Sequence, residues 1–281
     1  MAGFFGLFNY DKVGPGIAKD APKKKTFFVF FETFFRNFWK FITINIVYYL
    51  ISLPIITNGL ASAGLTNVTR NIARDKHSFG LSEFFETIKK NWKQSLACGI
   101  INTVVYALII FDIYFFTMQE SSLFSTVCLG ISFAVFFVFT IMNFYIWTLI
   151  ITFKFNLKAI YRNSFKFVFI NLKGNLICFF STILVYAIYL GILFLLAKYY
   201  VYAVITEIAI FILTYPAFKY LMVQFCVFPS IKKYIIDPYY KEHPDEDIEK
   251  RQRLGLEVNL PKPKKTDGED GEEEPENVFT D

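Results

Sequence analysis

Three long runs of the chain carry no charged side chain: residues 41–69, 121–153 and 174–197. A hydrocarbon core about 30 Å thick is crossed by roughly 20 apolar helical residues, so each run is long enough to span a bilayer. Two further stretches qualify with one interruption each, 94–118 around Asp112 and 199–218 around Glu207. Backbone groups in lipid must be satisfied by helices or closed barrels, and runs such as Ile131 to Ile141 lack the alternation of a barrel strand. The pattern predicts an all-α, polytopic helical membrane bundle of about five spans.

The first span is broken. Pro54 and Gly59 interrupt SLPIITNGLASAG, and about 14 residues on either side, each arm reaching about 20 Å, could descend and return as a re-entrant hairpin. The alternative is a plain crossing that puts the N-terminus outside. Lysine and arginine mark the cytoplasmic side of short loops. Arg70, Arg74, Lys76, Lys89, Lys90 and Lys93 form one basic loop, Lys154, Lys158, Arg162, Lys166 and Lys173 a second, and Lys232 and Lys233 follow the last span. The basic residues before Phe41 favour the hairpin, which keeps the N-terminus on that same side.

Three segments mix aromatics with spaced charges: 26–40 with Glu32, Arg36, Asn37 and Lys40, 82–94 with Ser82 as a candidate N-cap, and 158–173. Each reads as an amphipathic helix in the headgroup layer. At an offset of 80, Phe85, Asn91, Lys93, Leu96 and Cys98 match Phe165, Asn171, Lys173, Leu176 and Cys178. With a weaker copy at Asn37 and Lys40, the pattern suggests three repeats of an interfacial elbow followed by a membrane hairpin; chance matching in a Phe-rich, Lys-rich chain is the alternative.

Composition agrees with the hydropathy. Of 281 residues, 54% are hydrophobic, 20% aromatic and only 19% charged, the aromatics led by 36 Phe. Residues 1–240 hold 22 Lys and Arg against 10 Asp and Glu, and residues 241–281 hold 7 against 14, so a net +12 body precedes a net −7 tail. The body's charges flank spans instead of forming one patch, which argues against nucleic acid. These features divide the chain into a polar segment 1–25 without the layout of a cleavable signal, a membrane domain 26–236, and a charged, disordered cytoplasmic tail 237–281. The expected setting is the cell membrane, with the lipid bilayer as first partner.

Candidate chemistry is sparse. Asp112 and Glu207 lie about 9 to 12 Å below the outer surface at 1.5 Å per residue, with Lys198 above them, so the three are a candidate intramembrane polar site. Snorkelling and local hydrogen bonds are the structural alternative. Asn45, Asn102, Asn143 and Gln224 fall in four helices as interhelical glue or a polar path for a solute. Gly59, Ala61, Ala63 and Gly64 permit close helix packing. His77 and His243 have no metal-ligand spacing around them, the four cysteines read as buried thiols, and no phosphate-binding loop occurs. Hence no catalytic residues, metal or cofactor are expected.

The segments SLPIITNGLASAGLTNVTRNIARDK from Ser52 and SEFFETIKKNWKQSL from Ser82 resemble the YesL family, bacterial membrane proteins of unknown function. Leu60 stands where that family usually has Pro. The resemblance implies an accessory role beside carbohydrate uptake in Gram-positive bacteria, with a sugar-transporter subunit as partner, and carries no catalytic residues. A non-enzymatic accessory or scaffold is thus the expected function, with a transporter or channel as the alternative.

Overall fold

The computed structural model describes residues 25–76, 78–197 and 201–242, and every regular element among them is helical. The N-terminal segment before Lys25, the two histidines, Lys198 and the acidic tail beyond Glu242 lie outside the described residues. Helix α1 (Thr26–Arg36) turns at Asn37 into α2 (Phe38–Ser52). Pro54, which has no N–H to continue a helix, ends α2, and a 3₁₀ turn at Ile55–Thr57 leads into α3 (Asn58–Ala73). Thr57 ties the break together. Its hydroxyl donates to the carbonyls of Ile51 and Pro54, and its N–H to Pro54 O at 2.9 Å.

The first charge-free run is therefore a packed hairpin. Arms of 15 and 16 residues reach about 22 and 24 Å, short of a 30 Å core. The start of α2 lies beside the loop after α3: Lys40 Nζ donates to Ser78 O at 2.9 Å, and Arg36 pairs with Asp75. The start of the described chain and the α3–α4 loop thus share one end of the bundle.

Four long helices follow the hairpin: α4 (Leu81–Met118), α5 (Leu123–Thr152), α7 (Leu172–Ala197) and α8 (Val201–Ile231), with α6 (Leu157–Ile170) between α5 and α7. These four are long and apolar enough to cross a membrane, so the chain is a multi-pass membrane protein of four long spans plus the hairpin. Helix α7 keeps almost all of its apolar side chains outward, as lipid permits and water does not.

Two expected elbows differ in form. Residues 82–94 are no separate helix but the first turns of the 38-residue α4, because no Gly, Pro or Asn break separates Gln94 from the apolar run. Its N-cap is Gly80, at φ +63, not Ser82, and Glu83 takes up the N–H of Phe79 at 3.3 Å. In contrast, α6 stops at Asn171, whose amide group contacts the tyrosine hydroxyl of Tyr145 at 3.0 Å. On α1 the aromatics occupy two faces. Phe30 and Phe34 pack on Phe218 of α8, while Phe27, Phe28 and Phe35 stay exposed.

Helix α3 is the centre of the packing. It is built of small and hydroxylated residues, and Ala61, Ala63, Leu65, Val68 and Thr69 are fully enclosed among α2, α4 and α5. A Cβ on Gly59 would collide with the Ser95 carbonyl and lie 2.8 Å from Gly99 Cα, and one on Gly64 would come within 2.9 Å of the Phe84 ring. Backbone therefore packs on backbone where α3 crosses α4. Around this crossing lie two apolar clusters, one holding Phe34, Phe41, Leu65 and Leu221, the other Ala63, Cys98, Ile146 and Ile160.

The chain divides into two compact units, residues 1–228 and 229–281. In the second, the end of α8 continues through a π-helical turn at Lys232–Ile236 into the short α9 (Asp237–Glu242), with Ile231 and Ile236 buried.

Replacing Gly59 by Val forces α3 off α4. Overpacking of this kind costs about 1 to 3 kcal/mol or more, so Gly59→Val is expected to lower the melting temperature in detergent, read by size-exclusion chromatography after heating. Gly130→Ala, whose Cβ meets nothing within 4 Å, leaves it unchanged.

Candidate functional site

Inside the bundle, beside the turn of the hairpin, lies a cavity of about 190 Å³. Four helices supply its polar wall: Asn58, Ser62 and Thr66 from α3, Asn102 and Thr103 from α4, Thr140 and Asn143 from α5, and Lys219 and Gln224 from α8. Tyr48, Tyr106, Trp147 and Tyr220 supply aromatic surface.

Three of the four candidate amides meet here. Tyr161 of α6 donates to Asn102 Oδ1 at 2.7 Å, Asn102 Nδ2 donates to Asn143 Oδ1 at 2.8 Å, and Asn143 Nδ2 donates to Phe139 O at 3.1 Å. This relay crosses three helices and orients both amides. Gln224 Nε2 donates to Thr148 Oγ1 at 2.9 Å, while its Oε1 is enclosed with no donor. A buried acceptor without a donor is costly, so the cavity calls for water or a solute hydroxyl at that point.

Asn45 does something else. Its Nδ2 donates to Leu213 O at 2.6 Å and its Oδ1 accepts from Ala217 N–H at 2.9 Å, the pair that an unbroken helix would join directly. Pro216 sits between them, where its ring strains the helical ladder. A side chain of the hairpin thus braces α8, which stays helical through Pro216, three residues before Lys219.

Lys219 was not among the residues singled out from the sequence, because it was read as the end of a span. Its isolation is the signal: α8 runs on through LMVQFCVFPSI, and the next charges are Lys232 and Lys233. Among the described residues no carboxylate pairs with Lys219, and its Nζ lies 5.9 Å from the Tyr220 ring centroid.

The acidic candidates lie elsewhere. Glu207, 8% exposed, lines an apolar pocket of about 250 Å³ between α7 and α8 with Tyr186, Tyr189 and Phe211, and its Oε1 has no partner among the described residues. Asp112 is exposed on α4 and takes no part in that pocket, so the structure does not bring the two acids together; Lys198 lies outside the described residues. Pro54 and Gly59 both sit at the hairpin, the first ending α2 and the second forming the α3–α4 contact. The matched asparagines of the offset-80 repeat differ: Asn91 bonds Thr87 O in its own helix, while Asn171 reaches Tyr145 and Cys226 O. Among the described residues no group of His, Cys, Asp and Glu could hold a metal ion.

A family model described as a protein of unknown function, DUF624, matches residues 41–113, which comprise the hairpin and most of α4. No curated protein and no solved structure matches the chain.

Replacing Asn45 by Leu removes the side chain that bonds Leu213 O and Ala217 N–H on either side of Pro216. Losing hydrogen bonds of this kind costs about 1 to 3 kcal/mol. Asn45→Leu is expected to lower thermal stability in detergent and to speed amide hydrogen exchange in residues 213–220, measured by mass spectrometry.

Proposed function

We propose that this protein is a non-enzymatic membrane component that binds a small polar solute in the cavity around Lys219, as an accessory to carbohydrate uptake. One observation carries the reading: amides, hydroxyls and a lysine from four helices converge on a cavity with room for roughly six waters, inside a bundle whose outer faces are apolar. Polar groups so placed need partners, and sugar hydroxyls both donate and accept. Aromatic walls such as Trp147 and Tyr220 suit the apolar faces of a sugar ring, and a site built to bond hydroxyls rejects solutes that lack them. The implied carbohydrate setting of the YesL resemblance fits this chemistry. In the same reading the basic end of the bundle faces the cytoplasm, where α1, α6 and the α3–α4 loop are placed to meet a sugar-transporter subunit.

Glu207 favours a second reading, a transporter in its own right. A buried carboxyl with an unpartnered oxygen, walled by Tyr186, Tyr189 and Phe211, has the character of an intramembrane proton or cation site. Flux of labelled sugars into liposomes that hold only this protein separates the two: the accessory predicts binding without flux.

Labelled mono- and disaccharides are expected to bind the reconstituted protein saturably, and Lys219→Met or Asn102→Leu to weaken binding about tenfold or more without loss of the folded species. No saturable binding, or equal binding by the variants, would contradict the proposal.

A further inference from the structure

Where α3 ends, Arg70 and Arg74 lie one helical turn apart. Arg70 is 8% exposed; its Nη1 donates to Thr152 Oγ1 and its Nη2 to Asn67 Oδ1, each at 2.7 Å, and its Nε has no acceptor. Both of its partners are neutral. The Arg74 guanidinium lies over the Phe228 ring, Cζ 3.5 Å from the centroid, and Nε, Nη1 and Nη2 are all enclosed without an acceptor. Neither arginine makes an ion pair among the described residues.

The nearby acid is committed elsewhere. Glu83 acts on Arg70 through space, but its oxygens accept from Asn71 Nδ2 at 3.0 Å, Ser78 Oγ at 2.8 Å and Phe79 N at 3.3 Å. Burial, with the like charge of Arg70, pushes the Arg74 guanidinium down to about 9, and burial pushes Arg70 down to about 10. Both therefore keep their protons at neutral pH, and Lys76 lies within reach of both charges. An arginine offers five N–H donors, and among the described residues none of Arg74's finds an oxygen. Stacking on Phe228 holds the fork in place without satisfying it.

We infer that Arg74, backed by Arg70, binds a phosphate group at the basic end of the bundle. The planar fork matches two phosphate oxygens, and a second buried cation beside it suits a multiply oxygenated anion better than a neutral acceptor. Arg74 is only partly buried as a residue, but its guanidinium nitrogens are enclosed, so a phosphate reaches the fork through a shift of the side chain; the next two residues, Asp75 and Lys76, line an open pocket of about 520 Å³ with Arg36, Lys40 and Ser78. The phosphate comes either from an anionic phospholipid headgroup or from a free phosphate compound. This site lies apart from the cavity around Lys219 and does not depend on its occupant.

The test uses the full chain in mild detergent. Native mass spectrometry after exposure to phosphatidylglycerol, and melting curves in inorganic phosphate against chloride at equal ionic strength, are compared for the wild type, Arg74→Gln and Arg74→Lys. A retained phosphatidylglycerol adduct, or a saturable stabilisation by phosphate, is expected for the wild type and is weakened about tenfold in Arg74→Gln. An adduct alone assigns the headgroup, and stabilisation alone a free phosphate. Arg74→Lys keeps the charge and loses the fork, so it falls between the two and serves as the decisive variant if Arg74→Gln does not fold. Wild type that takes up neither probe, or variants that bind as well as wild type, would overturn the inference.

Discussion

The whole arrangement depends on how closely α3 approaches α4. Two glycines, Gly59 and Gly99, meet where a single added Cβ would run into backbone. Without side chains between them, a short helix of Ala, Ser, Thr and Asn can occupy the middle of a bundle otherwise walled by Phe, Ile and Leu. Bilayers supply no hydrophobic drive between helices, so association rests on such close contact and on interhelical hydrogen bonds. That position is what turns Ser62 and Thr66 toward α5 and α8 as a polar lining, and what carries Arg70 and Arg74 to the end of the core.

A second constraint acts through backbone satisfaction. Pro54 and Pro216 each remove a backbone N–H from a helical ladder, and a side chain bonds the backbone beside each. Thr57 does so within the hairpin, where α2 ends, whereas Asn45 does so from another helix, along an α8 that stays helical. The hairpin and α8 are thereby coupled at the height of Lys219. Among the described residues, enclosed side-chain atoms without a partner include Gln224 Oε1 at the cavity, Glu207 Oε1 in the aromatic pocket and the Arg74 guanidinium, beside Arg70 Nε and the hydroxyls of Ser95, Ser164 and Tyr215. The first three differ from the hydroxyls in lying beside a cavity or in carrying a whole charged group without an acceptor.

Much of the fold was legible in the residues. Gaps between charges located four spanning helices, and Pro54 with Gly59 marked the hairpin, because charge and proline act locally and leave a direct trace. A short helix followed by two paired helices occurs twice, as α1 with α2 and α3 and as α6 with α7 and α8, whereas the expected middle elbow at 82–94 is the first turns of α4. What sequence could not show is which polar residues meet. Asn45 and Asn102 look alike along the chain, yet one mends a helix and the other lines a cavity, since that depends on the rotation of each helix against its neighbours. Asp112 and Glu207 lie at similar distances from the ends of their helices but face different surroundings. Lys219 was hidden for another reason: a lysine near the edge of a hydropathy window reads as a flank, although apolar residues continue for three turns beyond it.

The central claim, that a polar cavity lies within the bundle, is tested most directly by its wetness. In a background freed of the native cysteines, Thr103→Cys on the cavity wall and Ile109→Cys, buried farther along α4, would be exposed to a small water-soluble methanethiosulfonate reagent in liposomes. The account predicts reaction at position 103 and none at 109. A position 103 as inert as 109 would show the cavity dry and contradict it.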